Sequence, residues 1–220
     1  MSAYHKTISL HLLTNCLTEP TDKYLKFIDI CAASGITNLQ LRQKNWSTQQ
    51  LISCGKEIQA ILKPNAIPLI INDNLSVALE LDTDGVHLGQ GDCRPQLARS
   101  LLGSKKIIGL SIESVEQLEQ SKCLIEIDYI AASAVFPSQT KLNLNKIWGL
   151  AGLEQFCAQA HHPVVAIGGI NQQTVSAVIQ TGVSGVALIS AIHQAPNPAE
   201  YIQQLLIQAK SLVEVPYASL

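Results

Sequence analysis

Short apolar runs rich in β-branched residues recur along this chain, each followed by a longer stretch in which apolar positions return with helical period. Residues 8–14 (ISLHLLT) open the series, and 22–33 then set Leu25, Ile28, Asp29 and Ala32 along one helical face. Further runs follow at 38–42, 68–72, 85–89, 107–111, 128–135, 163–168 and 185–190, which completes a set of eight. Strands alternating with helices pair in parallel, because a parallel neighbour is reached only through a crossover of about a dozen residues or more. Eight strands and eight helices predict an α/β fold, a single-domain TIM (β/α)8 barrel over residues 1–220, compact beside the typical ~250. An open doubly wound sheet would usually carry G-x-G-x-x-G after its first strand, whereas the turn after Thr14 reads NCLTEPTDK.

Composition narrows the partners. At 47% hydrophobic, 15% charged and net charge -2, the chain can bury a large core, and it has no basic run to meet a nucleic acid or an anionic membrane. No apolar segment approaches the ~20 residues of a membrane span. The six cysteines, at 16, 31, 54, 93, 123 and 157, lack metal or redox spacing, and MSAYHKTISL lacks a basic segment followed by an apolar stretch. Reduced core cysteines in a cytoplasmic protein with small-molecule partners are expected.

In a barrel, the C-terminal strand ends share the rim that carries the chemistry. Asp73 follows the third run and Asp92 lies just beyond the fourth. Neighbouring strands are roughly 4.8 Å apart, so these carboxylates can face one point. With Asn72 and Gln90 nearby, the set suits magnesium better than zinc, since no His or Cys joins it. The plain alternative is that each aspartate caps the helix after it, Asp73 one starting at Asn74 or Leu75 and Asp92 one near Arg94.

In QLRQK, Gln40, Arg42 and Lys44 share one side of an extended chain, which aims two cations at the same rim as a diphosphate grip or leaves them as a solvated strand end. Gly168 and Gly169, with Ile189 and Ser190, match the phosphate pocket that barrels often build after strands seven and eight, or else permit close helix packing. After Pro137, the residues Ser138, Thr140 and Lys141 offer two hydroxyls and a cation, either as a lid over bound anions or as an ordinary surface loop. His87 reads as a hydrogen-bonded structural residue, and His161 and His162 receive no role. Trp46 and Trp148 could roof a ring-shaped ligand or simply pack in the core.

QLRQK, IIND, DGVHLGQGD, IIGLS, FPSQTK, AIGG and LIS stand in the order, and at nearly the spacing, seen in thiamine phosphate synthases, and this resemblance covers essentially the whole chain. It implies transfer of a hydroxymethylpyrimidine group from its diphosphate to the ring nitrogen of a thiazole phosphate, with one magnesium ion per active site. By the same resemblance, Gln40, Leu41, Arg42, Gln43, Lys44, Asn72, Ser111 and Lys141 would hold the pyrimidine diphosphate. Ser138, Gln139, Thr140, Gly169, Ile189 and Ser190 would hold the thiazole phosphate, and Asp73 and Asp92 the metal. Arg42, Lys44 and Lys141 would act catalytically on the leaving group. The rim has no cysteine set up as a nucleophile and no His–carboxylate pair, so departure of diphosphate before attack by the thiazole nitrogen is expected.

The chain departs from the family pattern at Ser133 and Ala134, where Gly-Pro is usual, at Ser138, where Thr is usual, and at Asn15, where Asp is common. The rivals are a thiazole tautomerase on the same barrel, a group that typically lacks the paired aspartates, and a non-catalytic phosphate-binding barrel. Room is left for a homo-oligomer.

Overall fold

The computed structural model describes residues 10–15, 21–137 and 146–213, with side chains to residue 209. Eight parallel strands close into a barrel in chain order: β1 (Leu10–Leu13), β2 (Asn38–Leu41), β3 (Leu69–Asn72), β4 (Gly85–Leu88), β5 (Ile107–Ile112), β6 (Tyr129–Ser133), β7 (Val164–Ile167) and β8 (Gly185–Leu188). The crossovers are α1 (Asp22–Ala33), α2 (Thr48–Leu62), α3 (Leu75–Glu80), α4 (Pro95–Leu102), α5 (Val115–Ser121), α6 (Gly149–Gln159) and α7 (Val175–Gln180). After β8 come two helices instead of the expected one: a four-residue turn, α8 (Ser190–His193), and then α9 (Pro198–Val213).

Local chemistry sets the helix starts. Thr21 caps α1 and Ser114 caps α5, each accepting a backbone N–H, while Ser47 and Gln50 form a reciprocal capping box on α2 and Pro95 opens α4. On α1, Ile28, Cys31 and Ala32 are buried and Leu25 packs against the core, so the expected face holds except at Asp29, which is exposed.

The main core lies between strands and helices, and Leu41, Ile71, Val86 and Leu88 belong to it. Inside the barrel, Leu13, Tyr129, Val165 and Ala187 form a small apolar cluster. Polar side chains share this interior: Gln40 is 4% exposed and His87 7%. Gly109 makes room for them, since a Cβ there would overlap the Tyr129 ring and the His87 imidazole.

Polar residues just before three even-numbered strands staple the N-terminal rim. Thr37 Oγ1 accepts the Leu10 N–H at 3.0 Å, Asp84 Oδ2 accepts that of Leu69 at 2.8 Å, and Asp128 Oδ2 accepts that of Ile108 at 2.8 Å. Of the described cysteines, all free thiols, Cys31 and Cys54 are buried but Cys123 is exposed, so the core assignment fails for Cys123. Among the described residues, no helix is long and apolar enough to cross a membrane.

Candidate active site

At the C-terminal ends of β2 to β5 a cavity of about 300 Å3 is lined by Arg42, Lys44, Asn72, Asp73, Asp92 and Ser111 among others. Beneath it, a hollow of about 60 Å3 reaches into the barrel between Gln40, His11 and Tyr129. The two share Arg42, Asn72, His87 and Ser111, so an occupant can lie partly on the rim and partly in the barrel mouth.

Strand alternation distributes β2 between two environments. Gln40 and Arg42 line the barrel, whereas Leu41 is fully buried on the helix side, near Gly55 of α2. Leu41 can therefore offer the cavity only its backbone. The exit of β2 is held by Thr14, whose hydroxyl oxygen accepts the Arg42 N–H at 2.8 Å and an N–H of Gln43 Nε2 at 3.3 Å. Thr14 was missed in the sequence because a threonine ending a strand is ordinary; only its pairing with the neighbouring strand marks it.

Neither aspartate caps a helix. Asn74, with extended backbone, is the N-cap of α3 and accepts the Val77 N–H at 3.1 Å, while α4 has no side-chain cap. Asp73 instead adopts a left-handed φ of 63°, its N–H bonded to the His87 carbonyl at 2.8 Å. Asp92 Oδ2 accepts the Gly89 N–H at 2.7 Å and so closes the loop after β4. The Asp73 carboxyl is pushed up to about 6 by burial and by the charge and hydrogen bond of Asp92, against which Lys44 and Arg42 pull it down. Burial lowers the pKa of the Arg42 guanidinium, and the Asp73 charge opposes that shift.

Gln90 lines the same cavity as Asn72, Asp73 and Asp92, as expected, and its Nε2 donates to the Ser111 carbonyl at 2.6 Å, which ties β4 to β5. Among the described residues no group of three or more His, Cys, Asp or Glu is assembled. His87 is the structural residue anticipated: Nδ1 lies 2.8 Å from the Tyr129 hydroxyl and Nε2 2.9 Å from Ser111 Oγ.

Across the rim, β7 and β8 pair with Ile167 beside Ala187, so the segments after them are neighbours. Gly168 and Gly169 both have positive φ, and a Cβ on Gly169 would come within 2.6 Å of the Pro137 carbonyl. The glycines thus permit close packing, against the exit of β6 and not against a helix. Ile189 and Ser190 begin α8, the extra short helix that barrels often add to a phosphate site. Ser138, Gln139, Thr140 and Lys141 lie outside the described residues. Trp148 is buried edge-on against Phe156, and Trp46 packs against the same core, so neither roofs the cavity.

The profile of a family described as thiamine monophosphate synthase matches residues 10–192. The chain is 43% identical to a thiamine-phosphate synthase of Chlamydia abortus over 89% of its own length and 92% of the relative's. It is 42% identical to that of Vibrio parahaemolyticus, over 94% and 100% respectively. The fold superposes on a thiamine phosphate pyrophosphorylase from Pyrococcus furiosus with a TM-score of 0.83 at 28% identity, covering 95% of this chain and 98% of that one. A 3-hexulose-6-phosphate synthase, at 15% identity and TM-score 0.68, shares the fold alone.

Proposed function

The chain belongs to the thiamine monophosphate synthase family, a group of transferases of thiamine biosynthesis, and we propose that it joins hydroxymethylpyrimidine diphosphate to thiazole phosphate by a dissociative substitution at the rim of β2 to β5. The observation that carries this reading is the convergence of two cations, Arg42 and Lys44, and two facing carboxylates, Asp73 and Asp92, on one cavity.

The donor set fits a magnesium ion. Magnesium is commonly held by one or two carboxylates plus substrate phosphates, and a cation between Asp73 and Asp92 would relieve the repulsion that raises the Asp73 pKa. Asp73 and Asp92 would hold it, and when bound it supplies positive charge against the departing diphosphate. Arg42 engages phosphate oxygens through its planar fork and Lys44 adds a point charge. The aminopyrimidine ring sits in the barrel mouth near Gln40, Asn72 and Ser111. His87, held by Tyr129, fixes the orientation of the Ser111 hydroxyl. The C–O bond then breaks with its electron pair leaving on diphosphate, the ring disperses the positive charge on the methylene carbon, and the thiazole nitrogen donates its lone pair to that carbon. Charge stabilisation that grows with bond breaking lowers the substrate's barrier to ionisation. Gly169, Ile189 and Ser190 hold the thiazole phosphate, and a cytoplasmic location suits the free thiols.

The facing aspartates favour the transferase over a tautomerase. Incubation with both substrates and magnesium, followed by oxidation to fluorescent thiochrome, should yield thiamine phosphate. Product-free incubations alongside conversion of a carboxylated thiazole to its tautomer would replace this reading.

A further inference from the structure

His193, the last residue of α8, lines neither cavity of the site, yet it grips the backbone of the phosphate pocket. Its Nδ1 lies 2.7 Å from the Ile189 carbonyl oxygen and its Nε2 2.9 Å from the Tyr24 hydroxyl. A carbonyl only accepts, so Nδ1 carries the proton. Burial holds the imidazole pKa below its ordinary value, which keeps the ring neutral. Nε2 is then the acceptor for the Tyr24 O–H, and the Tyr24 oxygen in turn accepts the Asn15 N–H at 3.0 Å. The rings of Tyr24 and Phe27 flank the imidazole at centroid distances of 5.8 and 4.8 Å. One hydrogen-bonded chain thus links the exit of β1, helix α1 and helix α8.

What it holds is a single peptide. Ile189 has φ -121° and ψ -88°, outside the strand and helix basins, and its carbonyl also accepts the main-chain N–H of His193 at 3.2 Å. In a planar trans peptide the carbonyl of one residue and the N–H of the next point in opposite directions. Fixing the Ile189 carbonyl therefore fixes the direction of the Ser190 N–H.

We infer that His193 is a positioning residue for thiazole-phosphate binding: it clamps the Ile189 carbonyl and so orients the Ser190 N–H toward the phosphate. This rests on the assignment of Ile189 and Ser190 to that phosphate in the proposed function.

The test compares His193→Asn, whose amide nitrogen takes the place of Nδ1 and keeps the donor to Ile189, with His193→Gln, whose amide nitrogen takes the place of Nε2 and loses it. Steady-state constants for both substrates, read by thiochrome fluorescence, are measured beside thermal unfolding. His193→Gln should raise KM for thiazole phosphate about three- to tenfold, the cost of one hydrogen bond, and leave KM for the pyrimidine diphosphate and the saturated kcat within about twofold. His193→Asn should restore most of the loss. Tyr24→Phe leaves the stacked rings in place and removes only the hydroxyl. It should shift the same constant in the same direction by about twofold, and it carries the test if a His193 variant does not fold. Wild-type turnover with equal thiazole constants in His193→Gln and His193→Asn overturns the inference alone, as does a parallel rise in KM for both substrates. Failure of the wild type to form thiamine phosphate overturns the functional reading together with the inference.

Discussion

At the N-terminal rim, Asp128 sits between an Arg99 nitrogen, 2.7 Å from its Oδ2, and the Ile108 N–H; at the C-terminal rim, Asp73 faces a second carboxylate, Asp92. Arg99 also donates to the carbonyls of Gly103, Lys106 and Glu126, at 2.8, 2.6 and 2.8 Å. Lys106 pairs with Asp82 at 2.6 Å. A hollow of about 370 Å3 beside Asp82 and Asp84 is comparable in size to the cavity at the other rim, yet the Asp84 carboxylate is already committed to the Leu69 N–H. Charges on this rim answer one another and close the structure. On the opposite rim, burial and like charge push one carboxyl up to about 6, a cost that folding alone gives no reason to carry. Size does not distinguish the two hollows; unresolved electrostatics does.

The sharpest way to break this contrast is Asp92→Asn. The amide oxygen can still accept the Gly89 N–H, so the loop after β4 should persist and the melting temperature should stay close to that of the wild type. If Asp92 holds the proposed magnesium ion, turnover should fall by about a hundredfold or more, because an amide replaces a charged ligand of that ion poorly. Unchanged turnover with unchanged magnesium dependence would remove the metal from this rim.

Arg99→Leu probes the other rim. It strands a half-buried carboxylate and takes the side-chain donor from the Gly103, Lys106 and Glu126 carbonyls, so a loss of about 2 kcal/mol is expected. In a chain of this size that lowers the melting temperature by about 4 to 8 °C. KM values and turnover below the transition should not move. A variant of normal stability but impaired turnover would show that the two rims are not separable.

How much of this the sequence disclosed depends on how local each signal is. The barrel was legible because eight repeats of one period leave few alternatives, and the rim acids and cations followed because strand ends share a rim. α8 was not legible: four residues are too few to show a helical period. The commitment of Gln90 to Ser111, the staple from Thr14 and the grip of His193 on Ile189 are contacts in which a common polar side chain acquires its role only from its partner. The cap of α3 was misassigned as one reading for Asp73, since adjacent Asp and Asn are equally good caps; the extended backbone of Asn74 and the left-handed φ of Asp73 decide it. Trp148 shows the reverse, a conspicuous residue that is buried in the core and carries Lys146 over its ring instead of lining the cavity.

The smallest expected effect gives the most direct reading of the contrast, because it concerns stability at a site meant for activity. The folded-state pKa of Asp73, about 6, lies above the ordinary 3.8, so the folded protein binds this proton more tightly than the unfolded chain does. Its contribution to stability is therefore fully present below about 3.8 and is lost as pH rises through about 6. Asp73→Asn removes the charge and keeps a side chain that tolerates left-handed backbone. In the presence of a chelator the variant should match the wild type near pH 4 and be the more stable at pH 8, by about 2 to 4 °C, equivalent to about 1 kcal/mol after allowance for partial exposure. Millimolar magnesium should raise the melting temperature of the wild type and not that of the variant, which closes the gap. A difference that is flat from pH 4 to pH 8 would show that the Asp73 carboxyl is not strained by its neighbour. Equal magnesium stabilisation of both proteins would show that the facing aspartates are not where the ion is held.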